Sequence, residues 1–205
     1  MVSAVTSGVS GTTDARAAEQ RVLDATKACC ERWGIAKVTI DDIATAAGVS
    51  RATLYRMFPG GKDVLFDALR VRELEDFFAR LSAHLVGADT FDDLLVRTVV
   101  SATRELRDDD HLAAMLASEP GEVLSTLTLA GLPRIIRMAT VFLVPRVEVY
   151  LPRPAAVRLV DVLSRLVISY FLAPSDDVDL GDPESAASFL RLAILPSFEP
   201  ALIRS

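Results

Sequence analysis

The chain predicts an all-α protein, a small N-terminal head of three helices joined to a larger helical body, and three observations lead there. Apolar residues recur at helical spacing along most of the 205 residues. No stretch keeps the two-residue alternation of a half-buried strand. Proline and glycine cut the C-terminal half into helix-length segments, at Pro120-Gly121, Gly131, Pro133, Pro152, Pro154, Pro174 and Gly181-Asp182-Pro183.

Residues 1–13 are mostly Ser, Thr, Gly and Val without a helical period and with no Lys or Arg before Arg16, which predicts a flexible arm. A first helix is expected over 14–33, ending before Gly34, with Ala18, Val22, Ala25 and Trp33 marking its buried stripe. Thr39 then stands as an N-cap with Asp42 three residues on, and Ile40, Ile43, Ala44 and Ala47 follow on one face. Gly48 supplies a left-handed turn and Val49 fills its corner. Ser50 caps a second short helix from about Arg51 to Phe58. The turn Pro59-Gly60-Gly61-Lys62 leads into a long helix. This divides the chain into a head at 14–62 and a body at 63–205, with 63–87 as a connecting helix.

In the body, helices are expected at about 90–107, 111–118, 121–130, 132–150, 154–173 and 183–196, with Asp182 as N-cap, Pro183 at the first helical position and Pro145 kinking or restarting its helix.

Two short helices joined by a glycine turn form a device for reading DNA. On the second, Leu54 and Phe58 share one face, which leaves Arg51, Ala52, Thr53, Tyr55 and Arg56 outward. Arginine, hydroxyl and phenol groups supply donors to phosphates and base edges, and Ala52 is small enough for close approach, as to a thymine methyl. Thr39, Ser50 and Lys62 complete the candidate DNA-contacting set, Lys62 at a helix start where unpaired amides favour a phosphate. The net charge of −6 does not oppose this: residues 1–87 hold 11 basic and 11 acidic residues, so the deficit lies in the body, and residues 32–62 carry +3.

Over about residues 15–70, the order of a long amphipathic helix, TIDDIATAAGVSRATLYRMF and a Pro-Gly-Gly-Lys turn resembles the TetR family of transcriptional regulators. Two departures are visible: Ala52 where a glycine is common, and Pro59-Gly60-Gly61 where a serine often caps the fourth helix. Beyond residue 70 the resemblance is architectural. It implies DNA binding as a homodimer paired through the last two helices, with a small molecule in the body changing the separation of the heads.

The body's own residues bear on both implications. On 154–173, Val157, Val160, Ser164, Val167 and Phe171 form one apolar stripe and Leu159, Val162, Leu166 and Tyr170 another. A helix apolar on two faces needs two partners, either both within its own chain or one of them a second subunit. The resemblance favours the homodimer, whose interface is then expected at Val157, Val160, Ser164, Val167 and Phe171 with Ala186, Leu190, Ala193 and Ile194 of the last helix. Leu94, Thr98, Met115, Leu116, Leu127, Met138 and Phe142 suit the lining of an apolar cavity, and equally suit ordinary core. Scarce buried charge points to an apolar or aromatic ligand.

Other chemistries find little support. Adjacent Cys29 and Cys30 read as small buried hydrophobes before a redox pair. Asp108-Asp109-Asp110-His111 reads as an acidic loop ending in an N-cap before a metal site. Glu-x-x-His, Cys-x-x-Cys, Gly-x-Ser-x-Gly and Walker-type spacings are absent, so neither a catalytic residue nor a cofactor is expected and the chain does not read as an enzyme. Apolar runs are too short and too charged to span a membrane, and the N-terminus lacks a signal pattern, which predicts the cytoplasm. The expected function is a ligand-responsive regulator, most simply a repressor on a near-palindromic operator. The alternative is a ligand-binding or protein-interaction bundle whose helix-turn-helix is only structural.

Overall fold

Several helices in this chain begin where a side chain meets their unpaired amides, and three others carry a proline, which has no amide hydrogen to satisfy, at their first or second position. A computed structural model describes residues 8–128 and 131–203, without the side chains of 8–14, 111 and 122. It contains α1 (Gly8–Trp33), α2 (Ile40–Ala47), α3 (Arg51–Met57), α4 (Lys62–His84), α5 (Phe91–Arg107), α6 (Asp110–Ser118), α7 (Pro120–Leu127), α8 (Leu132–Val147), α9 (Arg153–Leu172) and α10 (Pro183–Phe189). No strand occurs among the described residues. Among the same residues no helix is long and apolar enough to cross a membrane.

The chain divides into two compact units, Met1–Glu73 and Leu74–Ser205, and the division falls within α4 rather than at its start. The first twelve residues of a continuous helix can be counted with the head because Leu65, Phe66 and Leu69 belong to the head's core. That core also contains Val22, Leu23, Cys29, Cys30, Val38, Ile43, Leu54 and Phe58. Two expectations for α1 are corrected. It begins at Gly8, so residues 8–13 of the expected arm are helical, while residues 1–7 lie outside the described ones. Trp33 is exposed rather than buried, with the Arg32 guanidinium 5.1 Å from its ring centre.

In the second unit α8 packs on α9, and α5 packs on both α9 and α10. Their shared core runs from Phe78 through Leu95, Leu151, Leu159 and Leu190 to Phe198. A smaller cluster joins Val123 and Leu127 of α7 to Ile168 of α9. α8 continues through Pro145 instead of breaking there. The proline sits in the helix's last turn and is exposed, as is Val141 four residues back, so the carbonyl that loses its amide partner lies on the exposed side. Arg146 Nη1 donates to the Phe142 carbonyl at 2.8 Å. The final segment also departs from a single helix over 183–196. α10 passes into a π-helical turn at Leu190–Ile194 and a 3₁₀ turn at Leu195–Ser197, around Pro196, which has no amide hydrogen to extend an α-helical ladder.

Capping is where sequence and structure agree most closely. Asp109 caps α6 by accepting from the Leu112 amide at 2.9 Å, and Asp182 caps α10 by accepting from the Ser185 amide at 2.9 Å. The box at α2 is reciprocal. The Asp42 amide donates to Thr39 Oγ1 at 3.2 Å, while Thr39 N–H and Oγ1 donate to Asp42 Oδ2 at 3.0 and 2.6 Å. These bonds, the hydroxyl's first and the amide's second, hold the Asp42 carboxyl below the usual carboxylate range. A depressed folded value means the contribution is fully present above the unfolded value of about 3.9 and is lost as pH falls through the lower folded one. Urea titrations across the acid range should therefore show wild type ahead of Asp42→Asn above about pH 4, with the gap narrowing below it. A gap that is constant with pH would mean the carboxylate has no role in the cap.

Candidate nucleic-acid interface

The candidate face is set by three local devices. Gly48 adopts φ 66° and ψ 32°, its amide reaches the carbonyls of Ala44 and Thr45, and the Val49 amide reaches Ala44 O at 3.0 Å. This closes α2 and starts α3 two residues later. Ser50 Oγ accepts from the Thr53 amide at 3.1 Å and fixes the first turn of α3. After α3, Gly60 and Gly61 both take positive φ, 120° and 70°. A Cβ on Gly61 would stand 3.2 Å from Tyr55 Cε1, so the glycine lets the Tyr55 ring lie against the turn. The Pro-Gly-Gly sequence thus has a geometric function even though it provides no side-chain cap for α4.

Leu54 is fully buried and Phe58 nearly so, which anchors the inner side of α3. Arg51, Ala52, Tyr55 and Arg56 are exposed on the other side and Thr53 is half-buried, as their spacing predicts. The structure divides the eight candidate residues by how they are engaged. Thr39, Ser50 and Thr53 use their hydroxyls locally: Thr39 in the α2 box, and Ser50 and Thr53 with oxygens 2.9 Å apart at the start of α3. Arg51 Nη1 lies 3.0 and 3.2 Å from the two carboxylate oxygens of Asp41, and its guanidinium carbon is 5.6 Å from the centre of the Tyr55 ring. Contact with Tyr55, then with Asp41, raises the Arg51 guanidinium further above the usual arginine range.

Lys62 differs from expectation. Instead of standing open at the start of α4, its Nζ donates to the Ile35 carbonyl at 2.9 Å and lies 5.3 Å from the Phe66 ring centre. That carbonyl lies in the turn just beyond the end of α1, so the ammonium ties the start of α4 to the α1–α2 connection. Neither the Asp41–Arg51 pair nor the Lys62–Ile35 bond follows from helical spacing, since the partners are 10 and 27 residues apart. Cys29 is buried in the head's core, and burial, followed by the nearby Asp42, raises its thiol above the usual range. Such a thiol is poorly reactive at neutral pH.

The expected ligand residues fall into two groups. Leu94, with half-buried Met138 and Phe142, belongs to the main core of the second unit, and Phe142 stacks on Phe78 at 5.6 Å. Leu127, with half-buried Met115 and Leu116, belongs to the smaller cluster, and Ile135 borders both. Thr98 is buried and its hydroxyl donates to the Leu94 carbonyl at 2.6 Å, so it is already satisfied. Sequence reasoning missed Ser82. Its buried Oγ has no hydrogen-bond partner among the described residues, and it lies one turn after Phe78 on α4.

The expected interface face needs correction. Val160, Val167, Ala186 and Leu190 are buried within this one chain as part of its main core, leaving no surface to offer a partner. The seam of α9 toward its own chain runs through Ala156, Leu159, Val160, Leu163 and Val167. Val157, Ser164, Phe171 and Ile194 are half-buried and Ala193 is exposed. Outward on α10 and the following turn lies a shallow groove of about 480 Å³ lined by Pro183, Glu184, Ala187, Ser188, Arg191 and Leu192, the last 80% exposed.

Comparison with known proteins places this architecture. The family model described as "Bacterial regulatory proteins, tetR family" matches residues 22–69, the segment that holds the capped pair α2 and α3. An uncharacterized HTH-type transcriptional regulator of Mycobacterium tuberculosis (strain ATCC 25618 / H37Rv) is 32% identical over 106 residues, 52% of this chain and 53% of the relative. A counterpart from Mycobacterium bovis is 32% identical over 109 residues. The chain thus spans about half the length of the curated relatives it matches. Among solved structures, the TetR family repressor AlkX from Dietzia sp. strain DQ12-45-1b, implicated in biodegradation of n-alkanes, is 26% identical with a TM-score of 0.65, covering 89% of this chain and 96% of that one. The transcriptional repressor QsdR of R. erythropolis, 17% identical with a TM-score of 0.57 over 86% of this chain and 94% of that one, shares the fold. The capped helix pair, the all-helical second unit and these matches agree: residues 22–69 match the tetR family of bacterial regulatory proteins, and the chain is similar in fold to solved members of that family.

Proposed function

We propose that this chain is a cytoplasmic transcriptional repressor that binds a near-palindromic operator as a homodimer and is released by an apolar small molecule. The observation that carries the reading is α3 itself: one face is locked into the core by Leu54 and Phe58, and the opposite face presents Arg51, Ala52, Tyr55 and Arg56. In helix-turn-helix proteins a face so held enters the major groove, and a two-fold dimer sets two such faces on two half-sites. The chemistry asked of the protein is binding, not catalysis. Selection of bound fragments from random duplex DNA would define the operator. On it, Tyr55→Ala and Arg56→Ala should each weaken binding at unchanged helicity, and loss of one phosphate contact should flatten the slope of log affinity against log salt by about one unit. Unchanged affinity in both variants would remove α3 from the interface.

Dimerisation is assigned to the groove side of α10 and the outward side of α9, where Leu192, Ala187 and Leu166 are accessible. Burying Leu192 against a second copy would bring stabilisation of about 1.5–3 kcal/mol. Leu192→Glu places a carboxylate there at little cost to a single chain, because the residue faces outward. Analytical ultracentrifugation should show the variant dissociating at concentrations where wild type is dimeric. A dimer of wild-type strength would exclude this face.

The effector reading is supported by the likeness to AlkX and by the apolar second unit. We place the effector beside stacked Phe78 and Phe142 and half-buried Met138, because the unmet hydroxyl of Ser82, one turn after Phe78 on α4, would suit an apolar chain with one polar end. By linkage, a ligand that weakens operator binding by some factor must bind the DNA complex more weakly by the same factor, typically about 5 to 150-fold. A panel of n-alkanes, alcohols and fatty acids should yield a binder that lowers operator affinity, with Phe142→Ala impairing ligand binding but not ligand-free operator binding. Binders that leave operator affinity untouched would reduce the second unit to a dimerisation scaffold.

A further inference from the structure

Asp41 lies in the first turn of α2, where a carboxylate ordinarily favours the helix end, yet the capping bonds there belong to Asp42. Its side chain instead reaches across the turn to the first residue of α3, with both oxygens near Arg51 Nη1 at 3.0 and 3.2 Å. The other constraint on that guanidinium is the Tyr55 ring, 5.6 Å from it. Arg51 is therefore held from two helices. The side chains of the pair are 60% and 66% exposed, and ion pairs that open to water contribute little stability. The consequence lies in what Arg51 does at the surface of α3.

A mobile arginine at this place would be a cation for whatever phosphate came near, adding equally to the affinity for every sequence. Partnered by Asp41 it offers less net charge to the DNA backbone, while its other N–H donors keep a fixed direction. Two parallel donors in a fixed direction match the O6 and N7 acceptors of guanine in the major groove. We propose that Asp41 is a positioning residue that holds Arg51 for a base edge and suppresses its attraction to phosphates, so that it sets the ratio of specific to non-specific DNA binding. This rests on the DNA-reading function proposed above.

The test compares wild type, Asp41→Asn, Asp41→Glu, Arg51→Ala and the Asp41→Asn/Arg51→Ala double variant on the selected operator and on an unrelated duplex of equal length, over a range of salt. Asp41→Asn should bind the unrelated duplex more tightly, with a salt slope steeper by about 0.9, as expected for one added phosphate contact. Its operator-to-unrelated ratio should fall about fivefold or more, the discrimination of one bidentate base contact. Asp41→Glu, which can still pair with Arg51, should restore most of the ratio. The gain on unrelated DNA must vanish in the Arg51→Ala background, since it is assigned to the released guanidinium rather than to loss of a negative charge near DNA. A gain that persists there, or a ratio unchanged in Asp41→Asn, overturns the role of Asp41 while leaving the DNA-reading function intact. A wild-type protein that shows no preference among duplexes overturns that function and the role of Asp41 with it.

Discussion

At Gly48 the backbone turns left-handed, and both the direction of α3 and the identity of its exposed face follow from that turn. The αL conformation lets the Gly48 and Val49 amides return to the Ala44 and Thr45 carbonyls near the end of α2, so the helix closes there and α3 follows after Ser50. A residue with a Cβ would meet no neighbour within 4 Å at this position, so what reserves it for glycine is the backbone angle alone. The burial of Leu54 then fixes the rotation of α3 about its own axis. A different exit angle would bring other residues outward, whatever their chemistry.

Around that turn the polar side chains have divided tasks. Thr39, Ser50 and Thr53 are used in caps, so their value to an interface is to hold backbone amides and helix ends in place. Tyr55 is placed differently, by Gly61, whose lack of a side chain lets the ring lie over the turn into α4. Exposure of Tyr55 and Arg56 on a helix fixed at both ends gives directional donors at low conformational cost, which is the requirement for reading base edges instead of merely neutralising phosphates.

Local features were legible in the sequence and non-local pairings were not. The caps at Thr39, Ser50 and Asp182 depend on partners three residues away and stand where spacing predicts them, while the cap of α6 falls on Asp109, one residue before the end of the acidic run. The two cores follow helical periodicity in the same way. On α9, however, periodicity names the apolar residues without saying whether they meet their own chain or another, and Val160 and Val167 proved to be internal. His84 and Asp41 likewise acquired partners across the fold: His84 Nε2 lies 3.2 Å from Glu105 Oε1, and no pattern along one helix encodes that. Pro145 does not end α8, because a proline in the last turn of an exposed helix face removes a bond that water can replace.

The charge pattern connects the head's geometry to its selectivity. Residues 32–62 carry five basic side chains against two acidic ones. Arg51 is partnered by Asp41 and Lys62 by the Ile35 carbonyl, whereas Lys37 and Arg56 are exposed. Elsewhere in the same unit Arg72 pairs with Asp24 at 2.8 Å and Lys27 with Glu73 at 3.3 Å. With the remainder of the chain net negative, long-range attraction to a polyanion is weak and is screened within about 8–10 Å at ordinary ionic strength. On the proposed DNA-reading function, a head so sparingly charged would gain little from random DNA. Its binding energy would then come from contacts that the Gly48 turn and the Leu54 anchor place correctly, which makes shape, more than charge, the determinant of where such a head binds.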